Sequence, residues 1–395
     1  MKILVISQHY YPENFRINDI TKELVQRGHE VTVICGYPNY PEGKLYPEYK
    51  GKNRKKHKEE EIDGVKVIRG FEISRGNNPI KLFLNYYSVS LSMNSKAKKL
   101  KEKFDIVLIN QLSPVMQAWG GINYAKKHKV PCLLYCYDLW PDSLAAGGIK
   151  EVSFIYKYYF KVSNKIYRSV DKILCTSKGF VDYFVKTHRI DENKLMYLPQ
   201  YSEDIFKPLA PKKNGKIYNY VFAGNIGKVQ SVETIIKAAN EIKNDNTIKI
   251  HIVGDGSNLS NCTNLANQYN LSNVIFHGMH NIEKMPEFYK MADAMLLTLS
   301  NNKVISNTLP GKAQTYMAAG KPIIAAIDGE ASLILKEAKC GLLCNAEDYK
   351  GLADLFLKFK TLDVNRMSLN AQSYYFNNFR KEIFFERLSK YMEDN

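Results

Sequence analysis

The chain has 395 residues, enough for two α/β domains, and its 45% hydrophobic and 24% charged residues are an ordinary globular balance with no low-complexity tract. The opening Met1-Lys-Ile-Leu-Val-Ile-Ser reads as a first strand rather than a signal peptide, and no stretch reaches the roughly 18 apolar residues of a membrane-spanning helix, so a cytoplasmic protein is expected. The net charge of +16 is uneven: residues 1–200 hold 33 Lys and Arg against 20 Asp and Glu, and residues 201–395 hold 23 against 20. The basic first half points to an anionic partner: acidic lipid, a lipid-linked phosphate or nucleic acid.

In chain order, Lys2–Ser7 is strand-like, 17–27 has helical spacing stopped by Gly28, and 31–35 and 65–69 are further strands. Segments 105–110, 131–137 and 171–176 repeat the pattern with helical stretches between. Near-continuous apolar strands separated by helices predict a parallel sheet covered on both faces. Residues 202–216, with Pro208, Pro211 and weak periodicity, read as a linker. The pattern then restarts: strands at 218–223, 248–253, 274–277, 294–299, 322–326 and 341–344, and a helix at 231–243. The tail 365–394 is polar-helical with Tyr374, Tyr375, Phe376, Phe379, Phe384 and Phe385 among its residues, and its end could return to the first domain. The expected division is 1–201, linker 202–216, 217–375 and a C-terminal helix 376–395. Two doubly wound sheets of this kind bind ligands at the carboxyl ends of their strands. Seven cysteines are expected as buried free thiols; the Cys132/Cys136 and Cys340/Cys344 pairs lack zinc-ribbon spacing.

Several motifs then fall in series. Gly224-Asn225-Ile226-Gly227-Lys228 follows a strand and precedes a helix. Val253-Gly254-Asp255-Gly256, Phe276-His277-Gly278 and Ala292-Asp293 come next, then Leu309-Pro310-Gly311-Lys312 running into Tyr316-Met317-Ala318-Ala319-Gly320-Lys321-Pro322. The first half adds Gln8-His9-Tyr10-Tyr11-Pro12-Glu13, Arg27-Gly28-His29-Glu30-Val31 and Asp138-Leu139-Trp140-Pro141-Asp142. In this order the chain resembles, over about its whole length, the retaining glycosyltransferases of family 4. Within them it is most similar to the transferases of bacterial surface polysaccharides (O-antigen, capsule, lipopolysaccharide), including the L-fucosamine (N-acetyl-L-fucosaminyl) transferases. The resemblance implies a GT-B fold: two Rossmann-like parallel-sheet domains facing each other across a cleft, the first for acceptor and membrane, the second for the nucleotide sugar. The sequence departs from the family pattern at several places. Asn307 and Thr315 stand at its two glutamate positions, Asn225 and Gln230 replace its Arg and Lys, and Tyr137 replaces a His.

Breaking the glycosidic bond leaves negative charge on the β-phosphate, which helix N-termini, backbone amides and basic side chains can hold without a metal. The candidates for nucleotide-sugar binding are Gly224, Asn225, Gly227, Lys228, Asp255, Gly278, Gly311 and Thr315. Lys312, in the first turn of a helix where the dipole disfavours a cation, is the candidate for stabilising the leaving phosphate. Asp138 is the carboxylate matched to the family position, for the acceptor's proton or a sugar hydroxyl. The resemblance places acceptor binding near Glu13, Asn14 and Arg16; Trp140 is a candidate sugar platform. No metal and no further cofactor is expected, since no Asp-x-Asp cluster appears. The loop after the first strand lacks Gly-x-Gly-x-x-Gly, which argues against a dinucleotide there.

Three segments mix lysine with aromatic or further basic residues: 50–58, 80–104 and 154–168. They suit peripheral attachment to anionic lipid on the inner face of the cell membrane, as a lipid-linked sugar acceptor requires. The leading expectation is therefore a UDP-sugar donor and a polyprenyl-diphosphate-linked acceptor. Alternatives are a GT-B-like nucleotide-sugar 2-epimerase, a non-catalytic scaffold, and a nucleic-acid-binding protein, against which stands the lack of any RNA or helix-turn-helix motif.

Overall fold

The structure is a computed structural model that describes residues 1–40, 43–74, 78–146, 148–210 and 217–394. The chain divides into two compact units. One is Met1–Thr176 with Phe180–Tyr197 and the residues from Ser389 on; the other is Ser177–Gly179 with Leu198–Leu388.

The first unit holds strands β1 (Lys2–Ile6), β2 (Glu30–Cys35), β3 (Glu59–Ile62), β4 (Val65–Arg69), β5 (Ile106–Gln111), β6 (Cys132–Cys136), β7 (Lys172–Cys175) and β8 (Leu195–Tyr197). Their order is β3-β4-β2-β1-β5-β6-β7-β8, and only the β3–β4 pair is antiparallel. Every residue of β5 and β6 is buried, as a sheet covered on both faces demands. Strands β3 and β8 were not expected. β3 reads Glu-Glu-Glu-Ile and shows no apolar alternation. Its signal is the Asp63-Gly64 turn, where φ values of 51° and 76° fit the primed hairpin turn that Asp-Gly favours.

The second unit holds β9 (Tyr218–Ala223), β10 (Ile248–Val253), β11 (Val274–Gly278), β12 (Ala294–Thr298), β13 (Ile323–Ala326) and β14 (Gly341–Cys344), all parallel in the order β11-β10-β9-β12-β13-β14. Side chains alternate strictly: Tyr220, Phe222 and Leu296 face one apolar layer, and Val221, Ala223, Met295 and Leu297 the other. Strand order reverses between β9 and β12 here and between β1 and β5 in the first unit, which marks the carboxyl ends of those strands as ligand positions.

The expected linker 202–216 is corrected at its start. In the first unit β8 ends at Tyr197, and the chain from Leu198 to Leu388 belongs to the second unit. There Ser202 N–H donates to Tyr375 Oη at 3.1 Å, Phe206 stacks on Tyr289 at 4.9 Å, and Leu209 N–H donates to the Ala319 carbonyl at 3.0 Å. Residues 211–216 lie outside the described residues. The tail is two helices, Val364–Asn378 and Lys381–Glu393, separated at buried Phe379. No helix among the described residues is long and apolar enough to cross a membrane. Six of the seven cysteines are buried and Cys344 is half-buried, all with free thiols.

One buried cation organises the loops of the first unit. Arg69, 1% exposed, donates from Nε to Glu60 Oε1 at 2.6 Å, from Nη1 to the Gly36 carbonyl at 3.1 Å and from Nη2 to the Tyr11 carbonyl at 2.7 Å. Its guanidinium lies 4.8 Å over the Tyr49 ring. It thus fixes β3 and the loops that follow β1 and β2. Removing it leaves the buried Gly36 carbonyl and the part-buried Tyr11 carbonyl without this donor and leaves Glu60 with His57 alone among the described residues. Arg69→Met is expected to destabilise this unit by about 3 kcal/mol. The measurement is urea denaturation followed by tryptophan fluorescence, since both tryptophans, Trp119 and Trp140, lie in this unit. An unchanged midpoint would refute the role.

Candidate active site

In the second unit, Gly224 follows β9, Gly254 follows β10 and Gly278 ends β11, so the sheet sets the three side by side. Gly224 N–H donates to the Val253 carbonyl at 2.9 Å and Gly254 N–H to the Gly278 carbonyl at 2.8 Å. The turns interlock further through Ile226 N–H to the Asp255 carbonyl at 2.8 Å and Asn258 N–H to the Ile226 carbonyl at 2.9 Å. Gly254 has φ +135°, and a Cβ there would lie 2.0 Å from the Gly224 carbonyl oxygen, so only glycine fits.

The turn after β9 is less open to a ligand than expected. Gln230 Oε1 accepts from Gly227 N–H at 3.1 Å and from Asn225 Nδ2 at 3.2 Å. Lys228 is exposed and begins a single 3₁₀ turn, Lys228–Gln230. The helix starts only after Ser231, as Val232–Glu241, so its N-terminus does not open directly from Gly224–Lys228. Exposed Asp255 closes its own turn by accepting from Gly256 N–H at 2.6 Å.

Helix Gly311–Ala318 is the better anion position. Pro310 precedes it and provides no side-chain cap for its first amides. Buried Tyr316 fastens it to the end of β9, with Oη 3.3 Å from Ala223 N and 3.2 Å from the Ala223 carbonyl oxygen. Lys312 lies one turn earlier on the same side. It fills the space that a side chain at Gly224 would need: a Cβ there would meet Lys312 Cε at 2.5 Å. Its Nζ sits 3.8 Å over the Phe222 ring. Lys312 as a residue is half-buried, but Nζ is covered and has no hydrogen-bond partner among the described residues. Desolvation alone lowers its pKa from 10.5 to about 7. A ring face is a weak substitute for a counter-ion, so the ammonium is electrostatically unsatisfied where it sits.

Thr315 is corrected as a ligand group. It is 9% exposed, and its Oγ1 donates to the Gly311 carbonyl at 2.9 Å, inside its own helix. Asn307, at the other family glutamate position, accepts from Ser177 Oγ through its carbonyl at 2.5 Å.

In the first unit, Asp138 is half-buried after β6, and its Oδ2 accepts from Ser113 N–H at 2.9 Å and Ser113 Oγ at 2.8 Å. Trp140 is corrected: it is 1% exposed, donates from Nε1 to Ser113 Oγ at 2.9 Å and packs edge-on to Tyr86 and Tyr159, so it offers no sugar platform. Glu13 is corrected as well. It is buried, with Oε2 2.8 Å from His9 Nδ1 and Oε1 accepting from Asn39 N–H at 2.7 Å and Tyr40 N–H at 2.6 Å, so it holds loops rather than a ligand. Asn14 is exposed, and Arg16 pairs with Asp19 at 3.2 Å.

Sequence reasoning missed two buried acids. Glu72, after β4, accepts from Asn39 Nδ2 at 2.6 Å and Asn85 Nδ2 at 3.2 Å, and burial pushes it up to about 8. Glu330, after β13, accepts from Gly179 N–H at 2.6 Å, and burial raises its pKa. The Asp328-Gly329-Glu330 turn after a strand was the available signal for the second; nothing local marks the first.

Residues 15–200 match the family model described as Glycosyltransferase Family 4, and residues 202–374 match Glycosyl transferases group 1. The chain belongs to the glycosyltransferases. It is 24% identical over 271 residues to WbjE of Pseudomonas aeruginosa, named as a glycosyltransferase, covering 65% of this chain and 66% of that one. It is 23% identical over 371 residues to WcaI of Escherichia coli (strain K12), named as a colanic acid biosynthesis glycosyl transferase, covering 89% and 88%. Among solved structures, sucrose-phosphate synthase from Thermosynechococcus elongatus superposes with TM-score 0.77 at 15% identity, covering 100% of this chain and 98% of that one. Anabaena HepE in complex with UDP gives 0.71 at 13% identity, covering 100% of both. These likenesses show the GT-B fold.

Because Lys312 in this glycosyltransferase has a folded pKa of about 7 against 10.5 when solvated, the folded state binds fewer protons between those values. Stability therefore rises with pH across that window and is lowest below it, where the buried charge is carried in full. In ligand-free protein, Lys312→Met is expected to raise the melting temperature at pH 7 and to flatten its rise between pH 7 and 10. A variant no more stable than wild type at pH 7 would contradict the buried unpaired ammonium.

Proposed function

We propose that this glycosyltransferase moves a sugar from a UDP-sugar to a polyprenyl-diphosphate-linked sugar acceptor in bacterial surface-polysaccharide synthesis, with retention at the anomeric carbon. The sugar proposed is an N-acetyl-deoxyhexosamine such as N-acetyl-L-fucosamine. The observation that carries the donor half is Lys312: a covered ammonium with no partner among the described residues, beside the uncapped first turn of Gly311–Ala318 and the end of β9. A diphosphate supplies the charge that site lacks. The polysaccharide setting is supported by the name of WcaI, and the nucleotide by the UDP in HepE.

In the proposed reaction the bond from the anomeric carbon to the β-phosphate oxygen breaks with its electron pair on that oxygen. The acceptor hydroxyl oxygen bonds to the anomeric carbon, and the hydroxyl proton leaves with the released UDP or to water. Lys312 and the amides at Gly311 hold the charge on the departing phosphate, so no divalent metal is invoked. In the first unit Asp138, oriented by Ser113, is the carboxylate offered to a sugar hydroxyl. The proposed setting is the inner face of the cell membrane, where the acceptor resides.

Two outcomes test this reading. Calorimetry should show UDP binding in preference to GDP and ADP, with net proton uptake at pH 8 as Lys312 becomes charged against the diphosphate, and no uptake in Lys312→Ala. Turnover of Lys312→Ala with a lipid-linked acceptor should fall about 10²–10³-fold, and EDTA should leave wild-type turnover unchanged. Absence of nucleotide binding would overturn the assignment, and equal binding without transfer would favour a scaffold.

A further inference from the structure

Two helices of the first unit carry apolar side chains that the fold leaves uncovered. On Pro79–Lys99, Ile80 is 72% exposed, and Phe83, Leu84 and Leu91 are also exposed, recurring every three or four residues or at two turns. At the start of Phe154–Ser169, Phe154 is 83% exposed, Ile155 and Tyr158 are exposed, and Val152 just before it is 78% exposed. The two sets are joined. Phe83 packs on Tyr87 with ring centroids 4.5 Å apart, and Tyr87 Oη lies 3.3 Å from Tyr158 Oη, one turn from Phe154. The inner residues of the same helices do pack: Tyr86 and Tyr159 both meet Trp140. So these aromatics divide into a core-facing row and an outward row. A contiguous apolar patch of this kind marks a contact with another phase or partner.

The charges around it select the occupant. Neither helix holds an Asp or Glu, and Lys81, Lys157 and Lys161 stand beside the exposed apolar residues, with Glu151 the one acid adjoining them in sequence. Lys157 and Lys161 follow Phe154 by three and seven residues, on its side of the helix, and both are exposed. A second copy of this chain docked by the same patch would set those cations against one another. Anionic lipid would meet both features at once, with apolar tips below the headgroups and ammonium groups among them. We propose that this patch docks the protein on an anionic bilayer by inserting Phe83, Phe154 and Ile155, with the lysines of the same helices at headgroup level. The proposal deepens the reading of a lipid-linked acceptor by naming the surface that reaches the lipid. Its test reads binding alone.

The full chain is floated with vesicles of phosphatidylcholine, with and without phosphatidylglycerol. Wild type is expected to float with the anionic vesicles. Phe83→Ala/Phe154→Ala/Ile155→Ala should partition at least tenfold more weakly at both low and high salt. Lys157→Gln/Lys161→Gln should weaken binding at low salt and lose its difference from wild type at high salt. Light scattering and UDP calorimetry on each variant report assembly and the second unit. Wild type that stays with the soluble fraction, apolar variants that float like wild type, or a dimer that Phe154→Ala dissolves would each overturn the proposal. Vesicle binding without UDP binding would leave it standing and overturn only the donor reading.

Discussion

A lysine ammonium kept from water with no counter-charge is an expensive thing to fold, and the second unit is arranged around that cost. The Lys312 stem runs along Gly224, where any side chain would collide with it, and its nitrogen ends over Phe222. Tyr316 pins the same helix to Ala223, which fixes where the lysine stem starts. The glycine, the ring and the tyrosine are therefore linked choices, each restricted by where the ammonium sits. Placing a cation at a helix N-terminus runs against the dipole as well. Both penalties are what the proposed diphosphate would offset, by preorganised charge stabilisation.

The first unit solves the opposite problem. Its carboxyl-end loops carry buried acids and a buried arginine, and nearly every one is spent on structure. Glu13 holds the backbone at Asn39 and Tyr40 and contacts the His9 ring; Glu72 gathers Asn39 and Asn85; Arg69 ties Tyr11, Gly36 and Glu60. Loops held this firmly make a shaped surface with its main groups already satisfied. Asp138 is held as well, its Oδ2 accepting from both the N–H and the Oγ of Ser113.

This contrast explains what the sequence could and could not convey. Strand identity was legible because parallel strands buried on both faces are apolar at nearly every position, as in β5 and β6. β3 was not, because an edge strand of three glutamates is held by its hairpin turn and by Arg69 rather than by apolar burial. The glycine turns were legible because close backbone approach leaves glycine no substitute. Side-chain placement, as distinct from role, was legible only where a residue type stands out of place. Lys312 stands out at a helix start, whereas Glu13, Trp140 and Thr315 have the right composition for ligand groups yet face inward. Nothing in a local pattern distinguishes a carboxylate that binds a sugar from one that binds two backbone amides.

The same ambiguity governs the aromatic residues of the first unit. Phe83, Tyr86, Tyr87 and the run from Phe154 to Phe160 look alike as sequence, and the helical period splits them. Tyr86 and Tyr159 turn toward Trp140, while Phe83 and Phe154 turn outward. An outward aromatic row costs solubility, and lysines without any intervening acid would cost stability through self-repulsion. Two unfavourable features on the same pair of helices are better explained by one compensating surface than by two independent accidents. The two units thus share a kind of exposed cost: a covered ammonium without a hydrogen-bond partner among the described residues in the second, and uncovered apolar side chains beside lysines in the first.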